Sequence, residues 1–265
     1  MIFDTHAHYD DAAFDEDREK LLNKIHTEDR VGTIVNVGAS IRGCRDTVKL
    51  AGTYDFIYGA VGIHPEDIVN ASEQIMDELA GYAADPKIVA IGEIGLDFHY
   101  DEPKPSLQKE WFARQIALAD QVHLPMIIHS RDAAKDTVDI MKASHAGDIG
   151  GVIHCYSYTK ESARDYLDMG FYFGIGGVLT FKNARKLKEA VAYIPMDRIV
   201  VETDCPYLAP EPLRGHRNES GYIAYVLHVL AGLKGISTEE AEAVTYENAC
   251  RLYHLTSEQE SLWKN

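Results

Sequence analysis

Six side chains able to bind a metal ion stand where apolar runs of this chain come to an end. His6 and His8 close the run that starts at Ile2, and Glu93 sits in Gly92-Glu93-Ile94-Gly95-Leu96-Asp97. His129 follows Ile127-Ile128, His154 follows Val152-Ile153, and Asp204 follows Val201-Glu202-Thr203. Imidazole and carboxylate are the usual ligands of zinc, manganese and related divalent ions. The spacing of His6 and His8 has a physical reason, because residues two apart on an extended chain point to the same side. A histidine at the end of an apolar strand is costly to bury without a partner. Four histidines and two carboxylates arranged this way therefore point to one shared site. Six ligands exceed what a single ion needs, so two divalent ions ~3.5–4 Å apart and bridged by a carboxylate are expected. On this reading His6, His8 and Asp204 hold one ion, His129 and His154 the other, and Glu93 is shared. Zinc, manganese and magnesium all suit the set, so ion identity stays open.

Other residues fall near the same strand ends. His64, in Gly62-Ile63-His64-Pro65, is expected to meet a substrate phosphate or the leaving oxygen. Arg131, Arg214 and Arg217 are the basic candidates for substrate contact at the mouth. Glu202, two residues before Asp204, is expected on the inward face, holding a ligand histidine through its other ring nitrogen. The four cysteines, Cys44, Cys155, Cys205 and Cys250, are widely spaced with no CxxC pair, as free thiols in a reducing compartment would be. Cys155 and Cys205 each follow a candidate ligand, and strand alternation predicts that both point away from the site into the covering layer.

The elements that would position these groups alternate along the chain. Strand-like runs occur at 2–6, 33–38, 56–63, 89–94, 125–129, 151–154, 171–175 and 199–204. Amphipathic stretches at helical period occupy 15–28, 72–83, 106–122, 133–143, 160–169, 184–192, 222–234 and 238–254. The last opens on Ser237-Thr238-Glu239-Glu240, a helix-capping signature. Strand and helix in alternation mean parallel strands joined by right-handed crossovers. Eight such units predict an α/β chain folded as a (β/α)8 TIM barrel, with the site at the carboxyl ends of the strands. No linker-like or low-complexity stretch interrupts 1–265, so a single domain is expected.

Composition sets limits on function. The 265 residues are 46% hydrophobic and 26% charged, which suits a folded core rather than a disordered chain. Acidic residues outnumber basic ones 42 to 26, a net charge of −16, which argues against a protein that coats nucleic acid. No apolar run approaches the ~20 residues of a membrane helix, and no signal peptide begins the chain. A cytoplasmic protein without membrane or obligate protein partner is expected.

The motifs Asp4-Thr5-His6-Ala7-His8, Gly92-Glu93-Ile94-Gly95-Leu96-Asp97, Ile128-His129, His154-Cys155-Tyr156-Ser157 and Glu202-Thr203-Asp204-Cys205-Pro206-Tyr207-Leu208 together resemble the TatD family of metal-dependent hydrolases, within the amidohydrolase-like barrel superfamily. The resemblance extends from Met1 to about Tyr253. It implies a (β/α)8 barrel with a divalent metal centre whose ligands fall on His6, His8, Glu93, His129, His154 and Asp204. It also implies phosphodiester hydrolysis, as a 3′→5′ exodeoxyribonuclease on single-stranded DNA. Two departures stand out: His216 replaces the family's usual lysine in Gly215-His216-Arg217-Asn218-Glu219, and Tyr156 replaces a usual phenylalanine. The expected mechanism is attack on a terminal phosphodiester by water activated between two ions, with Asp204 and Glu93 as the catalytic carboxylates. Asp204 would either orient the water and take its proton or serve purely as a ligand. The alternative is a binuclear hydrolase of a small amide or ester. Many such relatives bridge their ions with a carboxylated lysine, and strands 4 and 5 here end in Glu93 and His129 instead. A non-catalytic metal protein fits poorly, since structural sites are normally closed by four ligands.

Overall fold

The computed structural model describes residues 1–255; the end of the expected domain, 256–265, lies outside the described residues. Eight parallel strands follow one another around a single sheet: β1 (Ile2–Ala7), β2 (Val31–Gly38), β3 (Ile57–Val61), β4 (Ile88–Asp97), β5 (Met126–Arg131), β6 (Gly151–Ile153), β7 (Tyr172–Ile175) and β8 (Ile199–Val201). Helices wrap the outside: α1 (Arg18–Thr27), α2 (Ile41–Thr53), α3 (Glu73–Ala83), α4 (Pro105–Val122), α5 (Ala134–Ala143), α6 (Ala146–Ile149), α7 (Lys160–Asp168), α8 (Arg185–Tyr193), α9 (Ile223–Lys234) and α10 (Thr238–Leu252). This is the (β/α)8 barrel expected from the alternation. The helix α2 falls on a segment that the periodicity left unassigned. Its buried face is Gly43, Cys44, Thr47 and Ala51, small side chains that carry little hydrophobic signal. Among the described residues no helix is long and apolar enough to cross a membrane.

Alternation along the strands divides the core in two. Outward side chains such as Ile34, Ile57, Ile91, Ile128 and Ile153 pack under the helices. Inward ones, among them Phe3, Val35, Tyr58, Val89, Ile127, Val152 and Val200, fill the barrel together with Leu252 and Tyr253 at the end of α10. The Tyr253 hydroxyl donates to the carbonyl of Thr5 at 3.0 Å, closing the barrel floor. Two residues beyond three of those inward positions stand His129, His154 and Glu202. The period of the strand thus lifts polar groups onto the top layer of an apolar plug.

The ring closes between its first and last strands by a short seam. Ala7 and Cys205 form an isolated parallel bridge. The amide of His8 donates to the Cys205 carbonyl and that of Asp204 to the His6 carbonyl, both at 2.9 Å. Below these bonds the buried Asp4 carboxylate accepts from the Thr203 and Ser220 hydroxyls at 2.7 Å, and from the Thr203 amide at 3.0 Å. The last strand ends three residues earlier than the sequence suggests, at Val201, because Asp204 takes a left-handed backbone with φ of 60°.

Close packing inside the ring demands a glycine at position 174. A methyl group on Gly174 of β7 would come within 2.1 Å of Glu202 Oε2. Glu202 has little room to retreat, being 1% exposed and held by the Cys155 amide at 2.6 Å. We expect Gly174→Ala to cost about 1–3 kcal/mol of unfolding free energy through overpacking, measured by urea denaturation. An unchanged midpoint would show that Glu202 is freer than its packing indicates.

Candidate metal centre

The upper end of the barrel gathers five imidazoles around one buried carboxylate. Glu93 Oε2 lies 3.4 Å from His6 Nε2 and 3.9 Å from His8 Nε2. Its other oxygen, Oε1, lies 2.7 Å from His129 Nδ1, 3.7 Å from His154 Nε2 and 3.8 Å from His64 Nε2. Asp204 Oδ1 stands across the site, 3.4 Å from His8, 3.7 Å from His154 and 3.8 Å from His6, each measured to Nε2. The six residues singled out as ligands in the sequence thus meet at one place. So does His64, within reach of Glu93 and His129.

The outer nitrogens decide which atoms face inward. His8 Nδ1 lies 2.7 Å from the carbonyl of Val37, so this nitrogen carries the donated proton and Nε2 is turned to the centre. His129 is reversed: its Nε2 meets Asp97 Oδ2 at 3.1 Å, leaving Nδ1 toward Glu93. Asp97 is itself pinned by the amide of His99 onto its carboxylate, and Gln108 bonds its backbone. His154 Nδ1 lies 3.1 Å from Glu202 Oε1, close in distance but off the hydrogen-bond axis. A carboxylate or carbonyl behind a ligating imidazole is the usual support in metal sites. His64 differs. Its Nδ1 accepts the amide proton of Glu66 at 3.2 Å, so the neutral ring carries its hydrogen on Nε2, facing Glu93. That makes His64 a donor into the site rather than a lone pair.

The arrangement fits divalent cations. His6 Nε2 and His8 Nε2 stand 3.0 Å apart, with two carboxylate oxygens alongside. Ligands at zinc-like bond lengths in tetrahedral array are separated by about 3.3 Å, close to the observed spacings. Without an ion, protons must balance the carboxylates. Burial opposes charging every ring, yet Asp204 and Glu93 hold His8 up at about 10. Asp97 and Glu93 likewise raise His129 to about 9, and Glu202, Glu93 and Asp204 raise His154 to about 9. Burial wins at His64, which falls to about 4 and stays neutral. Glu93 and Asp204 are driven below the usual carboxylate range by their histidines, against burial.

Not every expectation is met. Arg217 does not line the site: both its terminal nitrogens are bound to Asp17, at 2.8 and 2.7 Å, and it also bonds the carbonyl of Ala13. Arg214 lies over the ring of Phe181 at 4.4 Å and also lines no part of the mouth. Arg131 does line it, 46% exposed. Cys205 is buried as expected, but Cys155 faces the mouth, since its left-handed backbone (φ 45°) breaks the strand alternation. Sequence reasoning passed over Tyr100 and Glu66 as lining residues; both sit in loops without periodicity, and no local pattern marks them.

Residues 3–254 match the family described as TatD related DNase. The uncharacterized metal-dependent hydrolase YabD of Bacillus subtilis is 45% identical to this chain, over 96% of it and all of the relative. The 3′-5′ ssDNA/RNA exonuclease TatD of a Rahnella strain is 30% identical, over 92% of this chain and 95% of its own length. The crystal structure of YJJV, a TatD homolog from Escherichia coli, superposes with a TM-score of 0.91 at 28% identity, covering 96% of this chain and 98% of that one.

Ion binding must displace the protons now held by the cluster. His8, His129 and His154 are charged at pH 7 and must be neutral to ligate, so affinity for a divalent ion should climb as pH rises toward 9–10. Titrating zinc or manganese into ion-free protein by calorimetry, in buffers of different ionisation enthalpy, should show net proton release at pH 7. Identical heats in all buffers would contradict the charge assignment. By sequence, by fold and by the ligands gathered at its strand ends, the chain belongs to the TatD related DNase family and is a metal-dependent hydrolase.

Proposed function

We propose that the chain hydrolyses phosphodiester bonds with two divalent ions, as a 3′→5′ exodeoxyribonuclease on single-stranded DNA. The observation that carries this reading is the central place of Glu93, whose Oε2 is nearest His6 and His8 and whose Oε1 is nearest His129, His154 and His64. His6, His8 and Asp204 with Glu93 would hold one ion, and His129 and His154 with Glu93 would hold the other. The activity named for the Rahnella relative supports the choice of substrate. Bound ions would supply Lewis-acid stabilisation of the phosphate and lower the pKa of the attacking water.

The chain's own residues do the rest. Asp204 is the best placed proton acceptor. Its side chain is 18% exposed, against 5% for Glu93, and it alone of these carboxylates lines both parts of the mouth. It stays ionised at neutral pH and takes the proton of the water as the new P–O bond forms. The P–O bond to the 3′ oxygen of the shortened strand then breaks; His64, neutral with hydrogen on Nε2, donates a hydrogen bond to that departing oxygen, and the proton taken up by Asp204 neutralises it. Arg131 holds a non-bridging oxygen at the rim. Glu202 stands beside His154 and fixes the turn after β6 through the Cys155 amide.

An end-labelled single-stranded oligodeoxynucleotide, incubated with the protein and magnesium or manganese, should shorten stepwise from its 3′ end. Asp204→Asn should slow this by at least about 100-fold, the scale of a lost general base. An untouched oligonucleotide under folded, metal-loaded protein would turn the reading to a small amide or ester, which a parallel dipeptide and acyl-ester panel would reveal.

A further inference from the structure

The mouth above the metal centre has two lobes of unlike character. Both are bordered by His129, Arg131, His154, Asp204 and Tyr207. The first, about 480 Å³, is polar and acid-walled by Asp10, Asp11 and Glu66, with Tyr100 at its edge. The second, about 390 Å³, is walled by Val178, Leu208 and the ring of Tyr207. Among the described residues seven large apolar side chains are exposed, and three of them, Tyr100, Tyr207 and Leu208, border this one opening. Scattered exposed apolar groups need no explanation, but a cluster at a cleft marks a surface kept for a ligand. Tyr100 follows β4 and Tyr207 follows β8, four strands apart in a ring of eight, so the two rings stand on opposite rims. Neither is loose. The Tyr207 hydroxyl donates to Asp11 at 3.0 Å, and the Arg131 guanidinium lies 5.6 Å from the Tyr100 ring centre.

Charge restricts what can bind between them. Arg131 is the sole lysine or arginine among the described residues lining either lobe. Backbone tracking along a nucleic acid needs a row of cations, and here six carboxylates line the polar lobe with a single guanidinium. An aromatic face beside an apolar wall is instead suited to one flat ring, since stacking tolerates any base.

Building on the phosphodiesterase reading, we propose that the lobe formed by Tyr207, Leu208 and Val178 is a nucleobase subsite. The chain then recognises one stacked base and one phosphate rather than an extended strand, so a diester carrying a single nucleoside already makes the full set of contacts.

The test compares two chromogenic diesters with manganese-loaded protein: thymidine 5′-(4-nitrophenyl phosphate) and methyl 4-nitrophenyl phosphate, which has no base. We expect the nucleoside diester to be favoured about tenfold or more in kcat/KM, the scale of one stacked base. Tyr207→Ala should erase that preference through KM, and Tyr207→Phe should keep it. KM should stay level for oligonucleotides from two to ten residues, with a salt slope near the ~0.7 of one phosphate contact on a single strand. Equal use of both diesters, a preference that survives Tyr207→Ala, a uniform loss on both, or a KM that falls steadily with length would each overturn the subsite while leaving the phosphodiesterase reading intact. Hydrolysis of neither diester nor any oligonucleotide would overturn both.

Discussion

The structure turns on a carboxylate kept out of water. Glu93 is 4% exposed and has five imidazoles within 3.9 Å. A lone buried charge would be untenable, so the site exists only as a set: positive charge must always be there to meet it. In the ion-free protein that charge is protons on His8, His129 and His154. Much of the upper barrel serves to aim those rings. The Val37 carbonyl and Asp97 stand behind two of them and Glu202 beside a third. Each support is fixed in turn, Asp97 by the His99 amide and Glu202 by the Cys155 amide.

The acidity of the chain and its proposed anionic substrate are reconciled by where charge lies. Surface carboxylates set the overall −16. At the site itself positive charge lies inside the cup, on the rings and on any ions they hold. A substrate would be drawn by the interior of the cup rather than by its outer surface, with Arg131 as the one lysine or arginine among the described residues lining the way in. This is local focusing within a cleft rather than steering by net charge.

Much of this was legible in the sequence, because strand period and chemistry coincide. Val152 to His154 and Ile127 to His129 read directly as apolar-in followed by ligand-in, and the alternation of strand with helix named the barrel. What escaped did so for identifiable reasons. The face that α2 buries is built of Gly, Cys, Thr and Ala, so its period is faint. Arg217 was drawn from the mouth by Asp17, 200 positions earlier, a pairing no local pattern announces. Cys155 escaped the alternation rule at one left-handed residue. Tyr100 lies in a loop, where side-chain direction follows from the fold and not from spacing.

The seam between β1 and β8 carries a consequence of its own. Every other junction of the ring is a ladder of paired strands, whereas this one rests on a single bridge, the backbone bonds of His6, His8 and Asp204, and the side-chain bonds of Asp4 to Thr203 and of Thr5 to Val201. The joint with the least strand pairing and the reactive groups therefore share His6, His8 and Asp204. A chelated ion at His6, His8 and Asp204 would span both lips, acting as a rivet as well as a reagent. Evolution would then find it hard to discard the chemistry while keeping the vessel, because a descendant that lost these side chains would have to refasten its barrel by other means.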